Sequence, residues 1–261
     1  MTEAGRYLFS TKGALDHPVT QLSIAIVAGS LLVAPFITIA LSRLGKMSDK
    51  TRRDVWTRYY TWLFLIPAVF VPILVCPASA MAMVCIASLL CYREYARASG
   101  IFRYHVLSGL VGVSIAVVTI TCLDNWYRMF LALSPLTITI IAAASVIPDE
   151  PKGYTQRIAV ASVGFLLLGS GLGHLAYMAN DPNYRPILCM LILCVQFSDI
   201  FAYVCGKAFG HRKLFPNTSP NKTLGGHLGA LVITAPLAAY LAHLVFPGTR
   251  LDTPARLALL G

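Results

Sequence analysis

Eight stretches of mostly apolar residues, spaced along nearly the whole chain, limit its fold more than any other feature. They run approximately from Val19 to Leu44, Thr61 to Val75, Ala78 to Tyr92, Tyr104 to Cys122, Trp126 to Ile147, Ile158 to Met178, Pro186 to Cys205 and Leu224 to Phe246. A hydrocarbon core of about 30 Å takes roughly 20 apolar residues as a helix, because every backbone amide in lipid must be bonded within the chain. The pattern predicts an all-α, polytopic membrane bundle of about eight spans, with a ninth beginning at Ala255. Composition agrees: 57% of the 261 residues are hydrophobic and 12% charged, and the mean hydropathy is +0.69. A soluble domain carries about 25% charge, so the polar surface here is too small to cover a core in water. The second and third stretches are short and separated only by Cys76-Pro77, which predicts a tight helical hairpin, with kinks at Pro67 and Pro72. The first is too long for a cleavable signal peptide and has no basic run directly before it. No repeat, low-complexity tract or linker divides the chain, so a single integral domain over 1–261 is expected.

The charge balance, +10, would suggest nucleic-acid binding in a soluble protein. In a membrane protein it is the expected excess of basic residues in cytoplasmic loops, and nucleic acid is set aside as a partner. Eight crossings place 15 of the 21 Lys and Arg on one side, and only Arg6, Lys12, Arg128, Arg185, Arg250 and Arg256 on the other. The amino terminus is therefore expected outside and the long basic loops in the cytoplasm, as for a protein of the bacterial inner membrane. The seven cysteines lie in or at the ends of apolar runs without a CxxC pair, and read as small buried hydrophobes.

An acidic side chain inside a bilayer costs about 3 kcal/mol on insertion scales, so each one needs a reason. Asp199 lies in the seventh stretch, where Gln196, Asp199, Tyr203 and Lys207 recur with helical period on one face. Such a stripe faces a cavity or the bundle interior; the plain alternative is an Asp that pairs with Lys207 or bonds a neighbouring helix. The segment from Gly206 to Gly226 follows, read as a cytoplasmic loop with four cations (Lys207, Arg212, Lys213, Lys222), four glycines and the hydroxyls of Thr218, Ser219 and Thr223. Flexible glycine backbone, hydroxyl donors and fixed positive charge before a helix amino terminus suit a polyphosphate. A basic loop resting on anionic headgroups is the alternative. The adjacent Asp199 adds a ligand for Mg²⁺, and residues 196–230 are taken together as a nucleotide- and metal-binding segment.

Ser198-Asp199, Ala202-Tyr203, Gly206-Lys207, Phe209-Gly210 and Ser219-Pro220-Asn221-Lys222-Thr223 with Gly226 and Gly229 resemble the phosphatidate cytidylyltransferase (CDP-diacylglycerol synthase) family. Glu94-Tyr95-Ala96 is similar to that family's Glu-aromatic segment. The resemblance implies that the phosphate of phosphatidic acid attacks the α-phosphorus of CTP, giving CDP-diacylglycerol and pyrophosphate with Mg²⁺ as cofactor. It implies Asp199 as a catalytic residue and metal ligand, Lys222 as a catalytic cation and Lys207 as a phosphate-binding cation. Ser219 and Thr223 are implied as phosphate or metal donors, and Tyr203, Arg212 and Lys213 as further substrate-binding residues. CTP, phosphatidic acid and membrane lipids are the expected partners, with a homodimer as an expected assembly. The family also carries a carboxy-terminal signature of Lys-Arg, Lys-Asp, Pro-Gly-His-Gly-Gly and Asp-Arg elements, and its acidic residues complete the metal site. This sequence ends at Gly261 without it, so the expectation is of a truncated member.

Other readings stay open at this point: an inactive truncated family member, a CTP-dependent lipid kinase, or a small-solute transporter. A transporter should spread polar residues along a path, whereas here they gather at one end. Glu94 beside Arg93 and Arg97 reads as a local ion pair, and His174 and His243 as bundle histidines, while His227, just past the Lys-Thr motif, either reaches a phosphate or has no such role. Trp56, Tyr59, Tyr60 and Trp62 read as interfacial anchors.

Overall fold

In the computed structural model, residues 7–44 and 49–247 are described. Arg6, Lys46, Arg250, Arg256 and the ninth span expected from Ala255 lie outside the described residues. Eight helices match the eight apolar stretches: α1 (Pro18–Arg43), α2 (Asp49–Val75), α3 (Pro77–Ser99), α4 (His105–Leu123), α5 (Tyr127–Ala144), α6 (Tyr154–Met178), α7 (Tyr184–Phe209) and α8 (Leu224–Val245). All but α3 are long and apolar enough to cross a membrane; the last two turns of α3 carry Arg93, Glu94 and Arg97. The protein is an all-α integral membrane bundle. Its apolar side chains point outward as well as inward, Phe64 being 79% and Val232 70% exposed, as a lipid solvent requires.

The second and third helices are not short. α2 extends 27 residues through Pro67 and Pro72, and its first turns are the polar run from Asp49 to Tyr60, which the apolar pattern alone missed. The α2–α3 break is where Cys76-Pro77 put it. Pro77 takes the first helical position, where a missing N–H costs nothing, and the Ser79 hydroxyl donates to the Pro72 carbonyl at 2.6 Å. Gly100, at φ 80°, closes α3 in the left-handed conformation.

The chain divides into two compact units. Of the described residues, the first contains 7–12 and 64–184. In it α4 packs on α3, α5 and α6 around Met81, Leu107, Ile115, Ile141 and Phe165. Residues Phe165–Gly171 of α6 wind as a π-helix. Gly164 lies against the Tyr95 ring and Gly173 against Val118, where a Cβ would come within 2.6 Å of each neighbour. Arg157, counted above among the loop charges, is instead 4% exposed. Its guanidinium donates to the Lys152 and Glu150 carbonyls, pairs with the Glu150 carboxylate at 3.7 Å and lies over the Tyr104 ring. Glu94 pairs with Arg97 at 3.6 Å, as its spacing suggested. His174 bonds the Ser170 carbonyl at 2.7 Å and meets the Phe130 ring edge to face, as a bundle histidine does.

Of the described residues, the second unit contains 13–44, 49–63 and 185–247. Val19 of α1, Ile187 and Leu193 of α7, and Leu241 and Val245 of α8 form its core. Trp56, Tyr59 and Tyr60 cluster on α2, and the Tyr59 hydroxyl donates to the Leu31 carbonyl of α1 at 3.2 Å. All seven cysteines are free; Cys76, Cys122, Cys189 and Cys205 are buried, while Cys91 faces outward.

Candidate functional site

The segment read as a loop is an ordered connection. α7 continues to Phe209, and the chain then forms an antiparallel hairpin of β1 (Lys213–Phe215) and β2 (Ser219–Thr223) before entering α8. Lys213 pairs with Thr223 and Phe215 with Ser219, with Pro216-Asn217-Thr218 as the turn. Thr223 is the N-cap of α8: its backbone is extended and its hydroxyl oxygen accepts from the Gly226 amide at 3.2 Å. That bond leaves the hydroxyl hydrogen free to donate.

The glycines have a different task from the one the sequence suggested. None of Gly206, Gly210, Gly225, Gly226 and Gly229 has a positive φ, so none is there to supply a left-handed turn. They let α7 and α8 approach at backbone distance. A Cβ on Gly226 would lie 2.6 Å from the Ala202 carbonyl oxygen and 3.1 Å from the Gly206 Cα; one on Gly229 would lie 2.5 Å from the Cys205 Cβ. Small residues allow such close crossings between membrane helices.

This crossing opens a cavity of about 530 Å³. Ser198, Asp199, Ala202 and Tyr203 of α7 form one wall, Asn221, Lys222 and Thr223 of the hairpin another, and His227, Ala230 and Leu231 of α8 a third. Four predicted site residues therefore meet: Asp199, Tyr203, Lys222 and Thr223. Among the described residues, neither the Asp199 nor the Lys222 side chain has a hydrogen-bond or ion-pair partner. The alternative that Asp199 pairs with Lys207 fails, because the Lys207 ammonium sits over the Tyr203 ring at 4.6 Å from its centroid. Lys207, Arg212, Lys213 and Ser219 do not line the cavity, and nor does Gln196: the lining face of α7 runs through 198, 199, 202 and 203. Helical period alone had admitted Gln196, one turn too far along the stripe.

His227, read above as within reach of a phosphate, lines the cavity, and so do Ser198 and Asn221, which were not among the predicted site residues. Ser198 and Asn221 flank predicted residues in sequence, and that adjacency was the available signal. The His227 Nδ1 lies 3.1 Å from the Thr223 carbonyl oxygen; a carbonyl only accepts, so Nδ1 carries the proton.

A carboxylate and a lysine in one hollow, with hydroxyl and amide oxygens around them, can hold a polyanion through Lys222 and a hard cation through Asp199. Among the described residues no three His, Cys, Asp or Glu side chains form a closed metal cage.

These features lie within a match to a known family. The model of the cytidylyltransferase family covers residues 56–259, most of the chain, and the chain belongs to this family of transferases. The chain is 23% identical to the Escherichia coli (strain K12) protein called Uncharacterized protein YnbB, over 85% of this chain and 74% of that one. It is 28% identical to the phosphatidate cytidylyltransferase of Rickettsia typhi over 54% of this chain. With the phosphatidate cytidylyltransferase of Saccharomyces cerevisiae it shares 47% identity over 60 residues, 23% of this chain. Alignment with this chain takes in 58% of the Rickettsia protein and 13% of the yeast protein. No solved structure matches the chain.

Proposed function

We propose that this protein transfers the cytidylyl group of CTP to phosphatidic acid, releasing pyrophosphate and leaving CDP-diacylglycerol in the membrane. The observation that carries the reading is the meeting of unpaired Asp199 and Lys222 in a single cavity beside the α8 N-cap. A phosphate oxygen of phosphatidic acid forms a bond to the α-phosphorus of CTP while the bond from that phosphorus to the bridging α–β oxygen breaks. Both reactants are anions, so the site must offset their repulsion and the charge that develops on the equatorial oxygens. No covalent enzyme nucleophile is needed.

Lys222 supplies a fixed positive charge on the hairpin strand. The Thr223 hydroxyl and the Asn221 amide, beside it on the cavity wall, orient phosphate oxygens. Tyr203 lines the cavity and carries Lys207 on its ring, which keeps a second cation close to the polyphosphate. The donor set fits Mg²⁺: one carboxylate with neutral oxygens and open space, since this ion is commonly held by one or two carboxylates together with waters and substrate phosphates. Asp199, with the Ser198 hydroxyl beside it, would hold the ion. When bound, it supplies charge neutralisation and Lewis acidity at the phosphates. The cationic hairpin is assigned to the cytoplasm by the excess of basic residues on its side of the membrane, so CTP reaches it from water while phosphatidic acid enters from the inner leaflet.

The test is turnover of the purified chain in lipid nanodiscs with CTP, Mg²⁺ and labelled phosphatidic acid. A lipid nucleotide formed together with pyrophosphate is the expected product. A lipid bearing an additional phosphoryl group, with CDP released, would replace this reading by that of a CTP-dependent lipid kinase.

A further inference from the structure

Arg212, Lys213 and Phe215 are left outside the cavity, and their arrangement is that of a membrane-docking surface. Lys213 and Phe215 of β1 are both exposed, while Leu214 between them is half-buried; the register shifts between the two, two residues of β1 standing against four of β2. Phe215 is 58% exposed and Phe209, at the end of α7, 71%. Both follow the apolar run of α7, in a segment that must sit at or beyond the hydrocarbon edge. Exposed aromatic rings beside unpaired cations are unfavourable in water and suited to the headgroup region, where rings enter the acyl boundary and cations meet phosphates. Charge supports the same partner. No acidic residue occurs between Asp199 and Asp252, and among the described residues Arg212 and Lys213 have no ion pair.

We infer that this hairpin docks on anionic phospholipid headgroups of the leaflet, with Phe215 in the interface and Arg212 and Lys213 on lipid phosphates. The docking reaches the cavity through the β-ladder. Lys213 pairs with Thr223, and the Leu224 amide donates to the Arg212 carbonyl at 2.9 Å, so holding β1 on the leaflet also holds the strand that carries Lys222 and the α8 cap. The inference is independent of the cytidylyl-transfer reading, since it concerns residues outside the cavity and a lipid that is not consumed.

Hydrogen exchange of the full chain, without CTP or phosphatidic acid, tests it in nanodiscs of phosphatidylcholine alone and of phosphatidylcholine with phosphatidylglycerol. The amides of residues 213–224 should exchange about tenfold more slowly in the anionic discs, as two cations near such a surface allow, and Arg212→Gln with Lys213→Gln should erase the difference. Equal exchange in both discs, or an undiminished difference in the double variant, overturns the inference. Inorganic phosphate giving the same protection in neutral discs also overturns it and makes the surface a free-phosphate site. A second measurement places a reporter at the interface: Phe215→Trp in a background with Trp56, Trp62 and Trp126 changed to Phe. Its fluorescence should be quenched by lipids with brominated chains, and unquenched, red-shifted emission counts against docking. If that background does not fold, exchange on the unmodified chain decides alone.

Discussion

Asp199 is an acidic residue in a helix long and apolar enough to span the membrane, and nothing among the described residues pairs with it. Nature tolerates such a cost where the charge has work in a polar cavity. Asp199→Asn keeps size and shape but removes the anion, so turnover should fall by about 100-fold or more while the protein remains folded in detergent. Thermal unfolding and product assay on one preparation check both halves, and undiminished turnover would remove Asp199 from the chemistry. Lys222→Ala should raise the KM for CTP and lower kcat. Lys222→Arg should recover part of both, because it restores charge without the same reach. Arg97→Ala, on the exposed Glu94 pair, should change stability by no more than about 0.5 kcal/mol, read by the same unfolding assay.

The α7–α8 crossing and the hairpin that joins the two helices build the site, and each depends on small details of packing. Gly226→Ala places a methyl 2.6 Å from the Ala202 carbonyl oxygen, which forces the helices apart. The expected loss is about 1–3 kcal/mol in stability, with weaker CTP binding because the cavity walls shift. Calorimetric melting and CTP titration read the two effects. Thr223→Ala removes the cap of α8 and should cost about 1 kcal/mol, whereas Thr223→Ser should keep it. Serine would also keep the hydroxyl on the cavity wall, so activity and stability should recover together.

For the molecule as a whole, the positive-inside pattern predicts an orientation that labelling can check. In a cysteine-free variant, Thr218→Cys at the hairpin turn should react with an impermeant maleimide only from the cytoplasmic side. Asn183→Cys, in the connection between α6 and α7, should react only from the opposite side. Labelling of both from one side would contradict the expected arrangement of the crossings.

The sequence by itself determined the solvent, the eight helices of the described residues and the α2–α3 break, because hydrocarbon leaves the backbone no option but the helix and Pro77 cannot continue one. It also pointed to Asp199 and Lys222, since a carboxylate within an apolar run and a Ser-Pro-Asn-Lys-Thr run are local signals. Only the tertiary structure decided which of the clustered cations face the cavity. Lys207 turns onto Tyr203, Arg212 and Lys213 stand outside, and Arg157 is drawn into the first unit by carbonyls and a ring. The glycines were misread for the same reason: a glycine in a polar segment is locally compatible with a flexible loop or a close crossing. What separates the two is the distance to another helix, and that is set by residues far along the chain.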